Sequence, residues 1–230
     1  MSLAADRPPL TRSLSLAWSG GKDSSLALWA LREQGVSPAT LMSTITADYE
    51  RLSMHGVRRE LIRQQAERTG VPLVEVEIPA SCPNDVYEQR MAAALASEAM
   101  RGVQEVAFGD LFLQDIREYR ESRLAPVGLQ ARFPVWGIDT TELAHRFIAL
   151  GFRAILVCVD PRALDRSFAG REFDEDLLAE LPAGVDPCGE RGEFHTFVYD
   201  GPIFDGPIAC GPGEVLERDG FVFCDLLPGR

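Results

Sequence analysis

Short apolar runs alternate along this chain with longer segments in which apolar residues recur every three or four positions. Residues 14–18, Leu-Ser-Leu-Ala-Trp, read as a short buried strand. Behind them Leu26, Leu28, Trp29 and Leu31 sit among strong helix formers, in a run ending near Gly35. The alternation continues with a strand over 40–46, an amphipathic helix over 57–69 closed by Gly70 and Pro72, and a strand over 73–78. A helix rich in Ala and Glu over 85–100, a strand over 105–109, a charged helix over 114–124 and an extended stretch over 130–135 follow. A helix over 140–150, ended by Gly151, and a strand over 154–159 complete the series. Strands separated by helices of this length predict βαβ units, that is, an α/β fold with a mostly parallel sheet covered by helices on both faces. Ligands of such sheets gather at the carboxyl ends of the strands.

The texture changes after Pro161. Proline and glycine become frequent, and residues 215–226 read as a hairpin turning at Asp219-Gly220. A smaller, irregular C-terminal subdomain is therefore expected. The boundaries read as a tail over 1–12, a main domain over 13–138 and a second region over 139–230. A chain of 230 residues with 46% hydrophobic and 25% charged positions can bury a sizeable core. The net charge of −12 disfavours nonspecific nucleic-acid binding, which needs a basic surface. No run is long and apolar enough to span a membrane, and no signal peptide is apparent, so a cytoplasmic location is expected. The five cysteines are odd in number and form no Cys-x-x-Cys pair, as reduced thiols would. Cys158 lies in the apolar run and reads as core.

The chemistry starts between the first strand and the first helix, at Ser19-Gly20-Gly21-Lys22-Asp23-Ser24-Ser25. A strand that breaks at two glycines and re-forms as a helix leaves backbone N–H groups without intrahelical partners, at the positive end of the helix dipole. Glycines let a phosphate approach the backbone, and Lys22 adds a full positive charge. As a residue of a helix's first turn, Lys22 is expected to be exposed to the ligand. The spacing is not that of a Walker A loop, which has four residues between its first glycine and Gly-Lys-Ser/Thr. A second segment, Gly189-Glu190-Arg191-Gly192-Glu193-Phe194-His195-Thr196, interleaves glycines with two carboxylates. Sharp glycine bends could aim both Glu190 and Glu193 into a cleft to bind a cation or move protons; a solvated acidic turn is the alternative. Asp110, at the carboxyl end of the fourth predicted strand, is placed to hold Mg²⁺ or a substrate. His55 falls in a loop able to cover a nucleotide or cap a helix, while His145 and His195 read as structural. Trp136 either lines a cleft wall or fills core.

The first segment resembles the pyrophosphate loop of the N-type ATP pyrophosphatases, in the adenine-nucleotide alpha-hydrolase superfamily. That resemblance implies a Rossmann-like nucleotide domain and cleavage of ATP between its α and β phosphates. The chain as a whole is similar to the diphthine–ammonia ligase family. The likeness rests on Ser19 to Ser24, Gly109-Asp110, Pro134-Val135-Trp136-Gly137, the charged helix from Asp115 to Arg123, and Gly189 to Thr196. It implies an ATP-dependent, AMP-forming carbon–nitrogen ligase that uses Mg²⁺ to adenylate an acceptor carboxylate and then admits ammonia. By that analogy Ser19, Gly20, Gly21, Lys22, Asp23, Ser24 and Ser25 hold the phosphates. Ser43, Thr44 and Ile45 present backbone groups to the adenine, Asp23 and Asp110 meet the metal, and Lys22, Asp110, Glu190 and Glu193 carry the catalysis. Residues 139–230 become the acceptor-binding region, and a homodimer is a further expectation. Arg191 and His195 depart from the Gly-Glu-Gly-Gly-Glu-Tyr-Glu-Thr pattern of archaeal and eukaryotic members. A tRNA-modifying sulfur-transfer enzyme and a nucleotide sensor without turnover are the competing readings; charge and unpaired cysteines argue against the first.

Overall fold

The computed structural model describes residues 13–229, so the tail expected over 1–12 lies outside the described residues. β1 (Ser13–Ala17) runs through the middle of a six-stranded sheet, parallel to β2 (Thr40–Thr46) on one side and to β5 (Val103–Ala107) on the other. β4 (Leu73–Ile78) continues the sheet beyond β2, and β6 (Gln130–Arg132) continues it beyond β5, both parallel. β3 (Arg51–Leu52) pairs antiparallel with the end of β2. Two residues are too few to show a period, so nothing in the hydrophobic pattern announces that strand.

Successive strand residues point to opposite faces, and this sorts the core. Leu41 and Ile45 of β2 join a cluster with Leu26, Leu28 and Leu31 of α1 (Lys22–Glu33) and with Leu61, Ile62 and Ala66 of α2 (Arg59–Thr69). Met42, between them, feeds a second cluster on the other face with Val76, Val106 and Phe108. Leu124 of α4 (Gln114–Leu124) closes that cluster, with Met91, Ala94 and Leu95 of α3 (Asn84–Leu95) packed against it. The predicted sandwich of helices around a mostly parallel sheet is present.

The apolar run 154–159, which alternation alone assigns to the parallel series, lies elsewhere. It forms β7 (Arg153–Val159) in a four-stranded antiparallel sheet with β8 (Phe194–Asp200), β9 (Cys210–Arg218) and β10 (Phe221–Pro228), in the order β8-β7-β10-β9. A continuous apolar run reports a strand covered on both faces and carries no information on its direction. α5 (Thr140–Ala149) leads into this sheet, and α6 (Glu175–Glu180) lies between β7 and β8. The β9–β10 hairpin turns at Asp219 and Gly220, whose φ values of 53° and 81° suit a tight two-residue turn. One core cluster runs through both sheets and includes Leu156 and Phe197 of the second together with Leu16 of the first and Leu28 of α1. Among the described residues no helix is long and apolar enough to cross a membrane.

Candidate active site

A cavity of about 990 Å³ opens where the carboxyl ends of β1, β2 and β5 meet β8 and the β9–β10 hairpin. Ser19, Gly21, Lys22, Asp23, Ser24, Thr44, Asp110 and Glu190 all line it, and so do His55, Arg120 and His195. Residues from both halves of the sequence therefore share one chamber.

The phosphate loop owes its shape to its neighbours. Gly20 has φ +69°, and a Cβ there would meet Gln65 Oε1 at 2.6 Å, so glycine is demanded twice over. The Gly20 carbonyl accepts from Val198 N–H at 2.9 Å and from Gln65 Nε2 at 2.9 Å. Gln65 also donates to the Val198 carbonyl and accepts from Trp18 Nε1, and it is fully buried. Its neighbours in sequence read as a charged helix surface, which hides it. The available signal is position: Gln65 falls on the same helical stripe as Leu61, Ile62 and Thr69, the buried side of α2.

Gly21 caps α1 from an extended conformation with no side-chain cap. Its own N–H is 3.3 Å from Ser19 Oγ, and Lys22 N–H donates to Thr196 Oγ1 at 3.0 Å. The first-turn amides of Asp23 and Ser24 remain, at the positive end of a twelve-residue helix beside the cavity. Ser24 Oγ donates to the Gly21 carbonyl and lies 3.2 Å from Ser19 Oγ. Gly109 presses on this turn: a Cβ there would come within 2.8 Å of the Asp23 carbonyl carbon. Ser25 sits behind, fully buried, its hydroxyl without a hydrogen-bond partner.

Lys22 corrects the expectation of exposure, for the residue is only 2% exposed. Its Nζ makes an ion pair with Asp23 Oδ2 at 2.9 Å and donates to the Cys188 carbonyl. Burial disfavours the ammonium, but Asp23 beside it, with Cys188 and Glu190 adding to the effect, more than offsets that and holds Lys22 protonated, above its usual range. The reason is the loop 188–196, which folds over the start of α1 and closes off the water a surface lysine would have. An ammonium has three donors, and these two contacts leave one. Asp23 Oδ1 is buried without a partner.

Glu190 accepts from Leu111 N–H at 2.8 Å, which fixes the C-terminal loop to the end of β5 beside Asp110. Burial pushes its carboxyl up to about 7, with the charges of Asp23 and Asp110 adding to the effect against the Leu111 amide and Lys22. Asp110 Oδ2 lies 3.4 Å from Arg120 Nε, and the Arg120 guanidinium stacks on Phe108.

Glu193 does not reach the cleft. It is 7% exposed and turned into its own loop, where its carboxylate accepts from the N–H groups of Asp186 and Arg191, each at 3.0 Å. Asp186 in turn accepts from Cys188 N–H at 2.8 Å and from Thr140 Oγ1 at 2.9 Å. One carboxylate of the pair therefore faces the chamber and the other builds the turn. Nothing in the pattern of glycines and glutamates distinguishes the two.

The adenine-side expectation also changes. Ser43 Oγ donates to the Trp18 carbonyl at 2.6 Å and Ile45 is core. The backbone of Ser43, Thr44 and Ile45 pairs with Glu75, Val76 and Glu77 of β4, and the Thr44 carbonyl accepts from Ser53 N–H. β3 docks on the end of β2 and occupies hydrogen-bonding edge that the sequence leaves open. Only the Thr44 residue of this trio lines the cavity.

His55 and His195 stack with ring centroids 4.4 Å apart and planes 23° off parallel. Burial holds both rings neutral: His55 lies well below its usual value, with His195 and Lys22 adding to the effect, and His195 is pushed down to about 4, with Lys22 adding. His145 is exposed and pairs with Glu175 at 2.9 Å. Trp136 is neither cleft wall nor deep core: it meets Phe133 edge-on and carries the Arg117 guanidinium over its ring.

A mostly parallel α/β sheet whose first strand ends in a glycine turn, with an open helix terminus facing a large cavity, places the chain among the α/β proteins whose ligands gather at the carboxyl ends of the strands. The comparisons specify it further. Residues 12–131 match the diphthamide synthase N-terminal domain and residues 139–218 match the diphthamide synthase C-terminal domain; the chain belongs to this family. It is 30% identical over 232 residues to the diphthine–ammonia ligase of Danio rerio, covering 90% of each chain. It is 27% identical to the diphthine–ammonia ligase of Schizosaccharomyces pombe over 90% of its own length, and 27% identical to that of Bos taurus over 73%. The matches span 38% of the yeast protein and 62% of the bovine one. Among solved structures, a predicted subunit of tRNA methyltransferase from Methanocaldococcus jannaschii aligns over 61% of this chain and 76% of its own, at 18% identity and a TM-score of 0.41.

Proposed function

We propose that the protein is an ATP-dependent ligase that activates a carboxylate by adenylation, releasing pyrophosphate, and then joins it to ammonia. The observation that carries this reading is the convergence of the two motif loops. Glu190, from the C-terminal half, lies beside Asp110 and over the α1 terminus, so acceptor and nucleotide groups share one chamber. The Asp23 and Ser24 amides, fixed in place by the loop, would meet the phosphates with little reorganisation. Lys22 would lend its remaining donor to the departing pyrophosphate.

Among the described residues no group of three or more His, Cys, Asp or Glu side chains is poised to hold a metal. A magnesium ion that arrives with the nucleotide needs fewer, since it takes one or two carboxylates and completes its shell with phosphate and water. The buried, unpartnered Asp23 Oδ1 and the Asp110 carboxylate fit that use. Such an ion would supply positive charge against the phosphate oxygens. Glu190, held near neutrality, can give up or take a proton as the amine attacks.

The test is product analysis. The protein, ATP, Mg²⁺ and ammonium are incubated with a diphthine-bearing protein, the acceptor named for its relatives, and with nucleotide-depleted cell extract. Acceptor-dependent AMP and pyrophosphate in equal amounts are expected. Stoichiometric ADP would refute the reading.

A further inference from the structure

We propose that the stacked His55–His195 pair is a further part of the nucleotide site, neutral when the site is empty and taking up one proton from solvent when a polyphosphate binds. This inference rests on the nucleotide reading above and assigns residues to that same site.

Three observations carry it. The pair lines the cavity and flanks the phosphate loop: His55 Cε1 would lie 3.4 Å from a Cβ on Gly21, and His195 precedes Thr196, which binds the Lys22 amide. His55 Nδ1 is buried with no hydrogen-bond partner, an unmet polar atom facing the same cavity as the unpartnered Asp23 Oδ1. And the obvious cation of the loop, Lys22, is already committed to Asp23 and the Cys188 carbonyl. A nucleotide brings several negative charges to a loop whose own ammonium is partly engaged, and the arginines that line the cavity, Arg51, Arg120 and Arg218, are paired with Asp225, Asp110 and Asp219.

The groups facing the pair explain its neutrality. From the loop comes the Lys22 ammonium, from each ring the other imidazole, and from β7 the Cys158 thiol opposite His195, which burial pushes up to about 12 and so leaves uncharged. From β10, Phe223 lies across from Cys158 and carries the Arg218 guanidinium of β9 over its ring, while a backbone hydrogen bond at Thr196 favours the protonated form of His55 without outweighing burial. No carboxylate acts on either ring strongly enough to hold a proton there. Bound phosphate would reverse this balance, raising the affinity of the pair for a proton, and by reciprocity nucleotide would bind tighter at lower pH. Between the pH at which the complex protonates and the lower pH at which the free pair does, affinity rises by up to tenfold for each unit fall in pH; above and below that window it levels off.

The chain has three histidines, so the ring Cε1–H resonances can be followed individually by NMR, assigned with H55Q, H145Q and H195Q. The probe is α,β-methylene-ATP, which cannot be split between its α and β phosphates. In the free protein, the His55 and His195 resonances should stay at neutral-imidazole positions across pH 6–8. Saturation with the probe at pH 7 should move one of them to the imidazolium position, and calorimetry in two buffers of different ionisation enthalpy should show uptake of about one proton more than in H195Q. If the probe binds and both rings stay neutral, this inference is overturned and the nucleotide site stands. If the probe does not bind at all, both fall.

Discussion

Replacing Lys22 by Met tests whether the phosphate loop is built as the structure describes. The Lys22 side chain is 3% exposed and that of Asp23 28%, and they pair at 2.9 Å. Removing one partner of a buried pair strands the other, at a cost of roughly 3–5 kcal/mol when the remaining charge is fully enclosed. Water reaches part of Asp23, so K22M should lose about 2–4 kcal/mol, well above the surface norm of about 0.5 kcal/mol that an exposed lysine would give. For a chain of this size that corresponds to a fall in Tm of roughly 5–15 °C. D23N should also destabilise, because it leaves Lys22 with the Cys188 carbonyl alone. The double variant K22M/D23N removes both charges and should lose clearly less than the sum of the singles, the signature of direct coupling. Urea unfolding monitored by circular dichroism gives each value from the midpoint at unchanged slope. A K22M loss below about 0.5 kcal/mol, or strict additivity in the cycle, would refute the buried pair. ATP affinity or turnover of K22M should fall at least tenfold in either case, since the loop charge is gone.

Three other substitutions probe the chamber separately. G109A places a methyl 2.8 Å from the Asp23 backbone, so α1 must shift; a loss of about 1–3 kcal/mol and weaker ATP binding are expected, and unchanged calorimetric affinity would show the contact is slack. E190Q should keep ATP affinity and lower acceptor-dependent AMP release by about 10²–10³-fold. It should also change the pH dependence of stability: the folded carboxyl, raised to about 7, keeps a proton that the unfolded chain loses near its ordinary value of 4.5, so wild-type stability falls as pH rises between those values. E190Q lacks that slope, so it should gain on wild type at pH 8 relative to pH 5, and parallel unfolding curves at both would contradict the raised carboxyl. E193Q, by contrast, replaces an acceptor of two loop amides, so it should lose about 1–3 kcal/mol of stability and show any rate defect as a consequence of a loosened loop.

Much of this arrangement is legible in the sequence because it is local. Strand 14–18 followed by Gly20-Gly21 and a leucine-rich helix specifies a strand–turn–helix with open amides, whatever surrounds it. Asp219-Gly220 between alternating residues specifies a hairpin for the same reason. Apart from the short β3, which pairs with β2 close by in sequence, the corrections concern contact between distant segments. Lys22 is buried because residues 188–196 lie on it, and no property of residues 19–25 reports that. Glu193 and Glu190 share type and glycine neighbours, yet backbone direction through the turn sends one to Leu111 and the other back to Asp186. Gln65 was unreadable as a site-supporting residue because its value lies in three partners, Trp18 just after β1, Gly20 of the loop and Val198 of β8.

Those distant contacts change what the phosphate loop is. Its Gly20 carbonyl, its Lys22 amide and its Lys22 ammonium are each bonded to residues between Cys188 and Val198. Gln65 completes the bridge from α2, and Arg51 and Arg58 add a second one by gripping Asp225 of β10. A loop held this way has its amides aimed before any ligand arrives, which is the condition for stabilising charge without reorganisation. It also cannot relax independently of the segment that carries Glu190, because the same eight or so residues close the lysine, present the carboxylate and position His195. Any acceptor that displaces this segment will therefore be felt at the phosphates, and any nucleotide that pulls Lys22 from the Cys188 carbonyl will be felt at Glu190. The adenylation and amine attack proposed above would need that kind of coupling, since the second step must not begin before the first is complete. On the function proposed above, the antiparallel sheet would be a wall of the nucleotide site as much as a platform for the acceptor.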